Sequence, residues 1–143
     1  IYLNESASVD YAVDSLSEDN AFCMNISDTG NLDWMIQLKQ NGITLEKGKK
    51  YRIGFDAKST IDRTIMYALQ RDGSSDNNWI PYSGTQKIDV SKDFKRYSCE
   101  FTMGEPTDRA VILSISMGAV NGKRITRKHT VTVDNIVLEE NGN

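Results

Sequence analysis

The segment YRIGFDAK, residues 51–58, alternates apolar side chains with polar or small ones, which is the two-residue period of a β-strand with one buried face. Tyr51, Ile53, Phe55 and Ala57 share the apolar phase. Other segments repeat or resemble this pattern, namely residues 9–13, 22–26, 34–38, 64–70, 88–90, 97–103, 111–117 and 129–138. Since no segment carries a sustained 3.6-residue apolar period, the sequence predicts an all-β chain.

Turn-forming residues separate these segments, among them Asn41-Gly42, Lys47-Gly48 and Asn121-Gly122. Roughly nine short strands joined by closely spaced turns are typical of a β-sandwich or a β-barrel. The length of 143 residues fits one domain with a single core.

Composition excludes several classes of function. A net charge of −3 argues against a nucleic-acid groove or an anionic-membrane surface, and no apolar run reaches the roughly 20 residues of a membrane helix. The single histidine, His129, lies in the alternating phase of the last strand, which favours a structural role. Cys23 and Cys99 fall in different phases of their strands, which favours two free thiols over a disulfide. Because no GxSxG, HExxH, CxxC or P-loop motif occurs, we predict no catalytic activity.

One strand breaks its own alternation. Val131 and Val133 share a phase, whereas Ile136 and Leu138 fall in the other phase, so the slip lies at Asp134-Asn135. A plain β-bulge explains such a slip. The alternative is that the Asp134 carboxylate turns toward a calcium ion, which prefers several oxygen ligands.

A set of aromatic and amide side chains is the strongest functional signal. Trp34 and Gln37 flank an apolar pair, and Gln70 ends a strand on its non-core phase. The polar loop that follows carries Trp79 and Tyr82, and an indole there either caps the edge of the sandwich or is exposed for a ligand. Flat aromatic rings and planar amides together suit a sugar, because the apolar faces of a pyranose stack on rings while its hydroxyls form hydrogen bonds.

An ordered set of motifs runs from Asn31 to Glu139, namely WMIQL at 34–38, GITLEKGKKY at 42–51, FDAK at 55–58, Arg63, the strand 97–103 and VTVDNIVL at 131–138. The order of these motifs resembles bacterial carbohydrate-binding modules of family 4 and its relatives, families 9, 16 and 22. The resemblance implies a jelly-roll β-sandwich of two antiparallel sheets, one of which forms a concave groove for a single glycan chain. It also implies a non-catalytic module attached to a secreted bacterial glycoside hydrolase.

The resemblance assigns roles to particular residues. Trp34 stacks on a sugar and Gln37 hydrogen-bonds it, while Trp79, with Tyr82 nearby, supplies a second aromatic surface. Arg63 and Gln70 complete the expected sugar-binding set. Asp134 becomes a ligand of a structural calcium ion, together with groups near residues 17–20. The usual Asn-Gly-x-Phe opening strand of the family is missing, since the chain opens on Ile1-Tyr2-Leu3-Asn4.

We therefore expect residues 1–143 to be one module excised from a larger secreted, extracellular bacterial enzyme, and to act as a monomer. Its expected partners are a polysaccharide chain and the linked glycoside hydrolase, with no nucleic acid and no membrane. A β-1,4-glucan or a mixed-linkage β-glucan is the preferred ligand. The alternatives are a xylan- or mannan-binding module, or a structural or adhesive β-sandwich that binds no glycan.

Overall fold

The computed structural model describes residues 21–140 in full and the backbone of residues 2–3 and 8–13. The described residues form ten strands and one short 3₁₀ turn, Asp33–Met35. The strands are β1 (Tyr2–Leu3), β2 (Ser8–Val13), β3 (Phe22–Asp28), β4 (Ile36–Leu45), β5 (Lys50–Ser59), β6 (Arg63–Gln70), β7 (Gln86–Val90), β8 (Lys95–Thr102), β9 (Asp108–Ser116) and β10 (His129–Glu140). This part of the chain contains no helix long and apolar enough to cross a membrane.

The strands form two five-stranded antiparallel sheets. The front sheet has the order β1-β4-β9-β6-β7, and the back sheet has the order β2-β3-β10-β5-β8. Every described strand pair is antiparallel. The predicted all-β sandwich of two antiparallel sheets is therefore confirmed.

The core lies between the inner faces of the two sheets, as the alternation predicts. Phe55 of β5 and Tyr67 of β6 meet across it edge to face, with ring centroids 4.9 Å apart. Burying each large apolar side chain of this kind contributes about 1.5–3 kcal/mol. The largest fully buried side chains are Phe55, Met24, Ile26, Ile36, Leu45, Ile53, Ile65, Leu69, Met103, Ile115, Met117 and Val90.

Two local predictions for β4 were wrong. The strand begins at Ile36 and not at Trp34, because Asp33–Met35 form the 3₁₀ turn. The predicted turn at Asn41-Gly42 is an irregularity inside β4, where the register shifts between Gln40 and Ile43. Gly42 takes a φ of 75°, which L side chains rarely adopt, so the glycine accommodates the bulge without ending the strand.

The opening of the chain supplies an edge to the front sheet. Tyr2 pairs with Gln37 and Leu3 pairs with Ile36, so the short β1 lies beside β4. This pairing satisfies part of the edge of β4.

The phase slip in β10 is a β-bulge. The register with β5 shifts between Asp134 and Val137, and Asn135 takes a φ of 52°. Asn135 Nδ2 donates to Asp56 Oδ2 at 2.8 Å, and Arg96 donates to Asn135 O at 2.7 Å. These contacts hold the bulge, after which Ile136 and Leu138 pack against the core.

Calcium at Asp134 stays a prediction. Asp134 Oδ1 accepts a hydrogen bond from Asn135 N at 2.8 Å. Among residues 21–140 no three His, Cys, Asp or Glu side chains are grouped as metal ligands. The segment 17–20, which was expected to complete the site, lies outside the described residues.

His129 is buried and hydrogen-bonded, in line with a structural role. Its Nδ1 lies 2.7 Å from Arg127 O and its Nε2 lies 2.9 Å from a guanidinium nitrogen of Arg63. A carbonyl on Nδ1 and a guanidinium donor on Nε2 require the neutral Nδ1–H tautomer. Burial, and then the charges of Arg63 and Arg127, lower the pKa of His129, against the opposing effect of the Arg127 carbonyl. Cys23 and Cys99 are free thiols, as predicted.

The first testable prediction concerns this histidine. Because the folded state favours neutral His129, its contribution to stability is present above about pH 6.5 and is lost as the pH falls through the lowered pKa. The melting temperature of the unsubstituted chain should therefore fall more steeply between pH 7.5 and pH 4.5 than that of His129→Gln. Carboxylates titrate in both proteins, so the difference between the two curves isolates the histidine. Parallel curves would contradict the prediction.

Candidate functional site

A groove of about 680 Å³ lies on the outer face of the front sheet. Its floor consists of side chains from the three neighbouring strands β4, β9 and β6, in rows set by the strand register. Gln37, Ser116 and Met66 form one row, and Lys39, Ser114 and Ala68 form the next. The groove is lined by Asp33, Trp34, Gln37, Lys39, Met66, Tyr67, Ala68, Gln70, Asn77, Trp79, Thr85, Ser114 and Ser116.

The polar floor follows from the same alternation that builds the core. In β6, Ile65, Tyr67 and Leu69 belong to the core, so Met66 and Gln70 in the other phase line the groove. The central strand β9 is buried on both faces and places serines in the outer phase, where larger side chains would fill the groove.

Ser114 is the most unusual residue of the floor. It is 3% exposed, and its hydroxyl oxygen has no hydrogen-bond partner among the described residues. A buried polar atom without a partner is costly, and native proteins contain few of them. Ser114 thus contributes to the floor of the groove a hydroxyl that no group of the described residues satisfies.

Trp34 borders the groove from outside the regular strand. It belongs to the 3₁₀ turn before β4 and remains 40% exposed, whereas the neighbouring Ile36 is fully buried. Residues three apart on an ideal strand face opposite sides, so Trp34 and Gln37 can share one face only because the turn precedes the pleat. The 3₁₀ turn thus places Trp34 just before β4, at the border of the groove that Gln37 also lines.

Trp79 borders the groove at the opposite end of the strands. It lies in the loop after β6, whereas Trp34 lies before β4, and these two strands run in the same direction on either side of β9. Its indole is 38% exposed. Lys39 Nζ lies 5.2 Å from the ring centroid, and a Cβ on Gly73 would come within 2.7 Å of the ring. The indole is therefore packed on the loop and still accessible.

The two predicted glutamines both line the groove. Gln37 Nε2 donates to Ser116 Oγ at 3.1 Å, which fixes the amide across the floor. Gln70 lies at the end of β6 and bridges to Pro81, next to the base of the Trp79 loop. Each amide offers both a donor and an acceptor, as a sugar hydroxyl requires.

Two predicted sugar-binding residues lie outside the groove. The Tyr82 hydroxyl donates to Asp108 Oδ2 at 2.7 Å and its ring packs against the core. Burial, followed by the bond to Asp108, raises the pKa of Tyr82 to about 12. Arg63 is 7% exposed and bonds Gly118 O at 2.6 Å, below the surface. Both side chains are held by contacts within the protein.

Sequence reasoning missed Lys39, Ser114 and Ser116 as groove residues. The two serines alternate with the core residues of β9, and this alternation was visible, but polar residues in an outer phase are usually solvated. Only the central position of β9 between β4 and β6 turns these small side chains into a floor.

Comparisons with known proteins identify the family of the chain. The family model of a carbohydrate binding domain, CBM_4_9, matches residues 3–128. A cellulose 1,4-beta-cellobiosidase of Acetivibrio thermocellus is 29% identical over 107 residues, which cover 70% of this chain and 11% of that enzyme. The chain thus spans about a tenth of the length of this curated relative.

Solved structures show the same fold. A structure described as CBM4 structure and function superposes with a TM-score of 0.76 at 25% identity, covering 94% of this chain and 77% of the other. The N-terminal cellulose-binding domain of β-1,4-glucanase C from Cellulomonas fimi gives a TM-score of 0.64 at 17% identity, covering 94% and 89%. Because the family model spans most of the chain, we conclude that the chain belongs to the CBM_4_9 family of carbohydrate binding domains.

Proposed function

We propose that the chain binds a single β-1,4-glucan or mixed-linkage β-glucan chain in the groove of the front sheet, without catalysis. The observation that carries the proposal is the pair of accessible tryptophans, Trp34 and Trp79, at opposite ends of a floor of amides and hydroxyls. An open groove with an aromatic surface at each end suits a polysaccharide, because a long chain can extend beyond the groove in both directions.

The chemistry of the groove matches the two kinds of surface on a pyranose. The indoles offer apolar faces to the C–H faces of the sugar rings, with a large contact area and little side-chain entropy to lose. Gln37, Gln70 and Ser114 offer hydrogen-bond donors and acceptors to the hydroxyls of the sugar units that lie between the two indoles. Sites that are largely formed before binding lose little free energy to ordering.

The preference for glucan rests on the curated relative. The matched region belongs to a cellulose 1,4-beta-cellobiosidase. A β-1,4-glucan is therefore the first ligand to test. The Cellulomonas fimi domain of the same fold is described as cellulose-binding, and a Clostridium thermocellum module was solved with a β-1,3-1,4-mixed-linked tetrasaccharide. Xylan and mannan are the competing ligands in the test below.

We further propose that the module is secreted and brings a linked glycoside hydrolase to its polysaccharide. The match to one tenth of a cellobiosidase supports a role as one part of such an enzyme. Binding that raises the local concentration of substrate near a linked catalytic domain needs no chemistry from the module.

The second prediction tests the two indoles. Trp34→Ala and Trp79→Ala should each weaken binding of a soluble β-glucan by about 30-fold or more, because removing an aromatic hot spot costs about 2 kcal/mol. Affinity electrophoresis in β-glucan, xylan and mannan gels ranks the ligands, and isothermal titration with soluble oligosaccharides measures the affinities.

Phe94→Ala is the matched control. Phe94 is an exposed aromatic, 47% accessible, which contacts Lys58 of the back sheet and does not line the groove. This variant should migrate like the unsubstituted chain in every gel. The proposal would be refuted if both tryptophan variants bound β-glucan as tightly as the unsubstituted chain. It would also be refuted if the unsubstituted chain were not retarded by any of the three polysaccharides, a result that would favour a structural or adhesive sandwich.

The third prediction concerns Ser114. Removing the hydroxyl in Ser114→Ala should leave the melting temperature unchanged or slightly raised, because the free protein loses a buried atom without a partner. Glycan affinity should fall by about threefold to tenfold, since one neutral hydrogen bond contributes about 0.5–1.5 kcal/mol. Ser98→Ala, on the back sheet, is the control. A destabilised Ser114→Ala with unchanged affinity would show that the hydroxyl serves the fold.

A further inference from the structure

Strand β6 has an arginine at each end, and each guanidinium donates to a main-chain carbonyl. Arg71 bonds the carbonyl directly before Trp79, and Arg63 bonds the carbonyl of Gly118, whose backbone is hydrogen-bonded to the two residues before Trp34. Arg63 is the first residue of β6, and Arg71 directly follows its last residue, Gln70. We propose that Arg63 and Arg71 are positioning residues that fix the indoles of Trp34 and Trp79 respectively. The consequence for glycan binding rests on the proposed function, whereas the effect on the indoles does not.

Arg63 is buried with all its contacts inside the protein. Its Nη2 donates to Gly118 O at 2.6 Å, its Nη1 donates to His129 Nε2 at 2.9 Å, and its Nε donates to Thr64 O at 3.2 Å. Within the described part of the chain, Arg63 forms no ion pair with a carboxylate. A buried cation paired only with neutral acceptors is expensive compared with an apolar residue of similar size. The cost of burying Arg63 is therefore offset by hydrogen bonds that an apolar side chain could not form.

The contact with Gly118 leads directly to the turn of Trp34. The Gly118 carbonyl and the Ala119 N–H belong to one peptide unit, and Ala119 N donates to Leu32 O at 3.1 Å. Gly118 N donates to Asp33 O at 2.9 Å. Leu32 and Asp33 are the two residues before Trp34, so the guanidinium orients and polarises the peptide on which the 3₁₀ turn is docked.

Close approach makes this docking sensitive to small shifts. A Cβ on Gly118 would lie within 2.5 Å of Asp33 O, so the two backbones are packed together with no room for a side chain. When Arg63 no longer holds the Gly118 peptide, we expect the turn and its indole to lose their fixed orientation.

Arg71 makes the corresponding contact at the other end of β6. Its Nη1 donates to Asn78 O at 3.0 Å, and that carbonyl belongs to the peptide unit whose N–H is that of Trp79. The same nitrogen donates to Asp76 Oδ1 at 2.8 Å, and Asp76 Oδ1 also accepts from Asn78 N at 3.1 Å. The carboxylate and the guanidinium together hold the chain just before the indole. Arg71 is partly exposed, so its effect should be smaller than that of Arg63.

Both arginines lie at the ends of one strand, so β6 fixes the positions of the two indoles relative to each other. β6 pairs with β9 and β7 along its length and cannot slide without breaking both ladders. The groove then presents its two aromatic surfaces at a fixed separation before a ligand arrives, which limits the loss of entropy on binding.

The experiment uses the fact that the chain has only two tryptophans. Trp79→Phe leaves Trp34 as the single fluorophore, and Trp34→Phe leaves Trp79. Arg63→Met, Arg71→Met and the control Arg52→Met are each placed in both backgrounds. Arg52 pairs with Glu100 on the back sheet, and neither residue lines the groove. Acrylamide quenching and time-resolved anisotropy, without glycan, report the accessibility and mobility of each indole.

The expected result is a crossed pattern. Arg63→Met should raise the quenching and lower the anisotropy of Trp34 and leave Trp79 unchanged, whereas Arg71→Met should do the reverse. Arg63→Lys keeps the charge without the fork of donors, so it should shift Trp34 in the same direction by less. If Arg63→Met does not fold, the Trp34 signals of Arg63→Lys test the proposal instead. Unchanged Trp34 signals in folded Arg63 variants, or equal changes at both indoles, would overturn the proposal.

Binding is measured separately with the native tryptophans present. Arg63→Met should weaken β-glucan binding by roughly tenfold, and Arg52→Met should not change it. A crossed fluorescence pattern with no glycan binding by the unsubstituted chain would refute the proposed function and keep the positioning role. Full affinity in Arg63→Met despite a mobile Trp34 would overturn the importance of positioning for binding.

Discussion

The apolar contact between the two sheets is the interaction on which the rest of the structure depends. Phe55 and Tyr67 meet across it, and the alternate side chains of β5, β6, β9 and β10 interdigitate around them. A one-residue slip of any of these strands would turn its apolar phase to solvent, so burial of one face fixes the register. The outer phase is fixed by the same constraint, and on β4, β6 and β9 that phase is the groove.

A groove on the outer face of a sheet separates the side chains that stabilise the fold from those that are available for binding. The inner phase of each strand supplies the apolar burial, so the outer phase of the front sheet is free to carry amides, serines and a lysine. Ser114 illustrates the cost of this arrangement, since its buried hydroxyl has no partner in the described protein. Arg63 and His129 show a related compromise, in which polar groups are buried beneath the turn that carries Trp34.

Local sequence patterns predict the strands of this fold, but they do not predict the contacts between distant segments. The strands and the phase slip at Asp134-Asn135 followed from period-two alternation and from turn residues, whereas the roles of Trp34 and Trp79 came from the family resemblance. The prediction of a turn at Asn41-Gly42 was wrong because a positive φ serves a bulge as well as a turn. Tyr82 and Arg63 lie outside the groove because they are hydrogen-bonded to Asp108 and His129. These partners are distant in sequence, so local patterns did not predict the contacts.

The sequence by itself determined which residues face inward, since alternation is a local property of each strand. It also singled out Gln37, Gln70 and the two tryptophans, which all line the groove. Only the tertiary structure decided that β9 lies between β4 and β6, which brings Ser114 and Ser116 to the centre of the floor. It likewise decided that Arg63 supports Gly118 instead of lining the groove. Strand order and long-range hydrogen bonds depend on how distant segments pair, and no local period encodes that pairing.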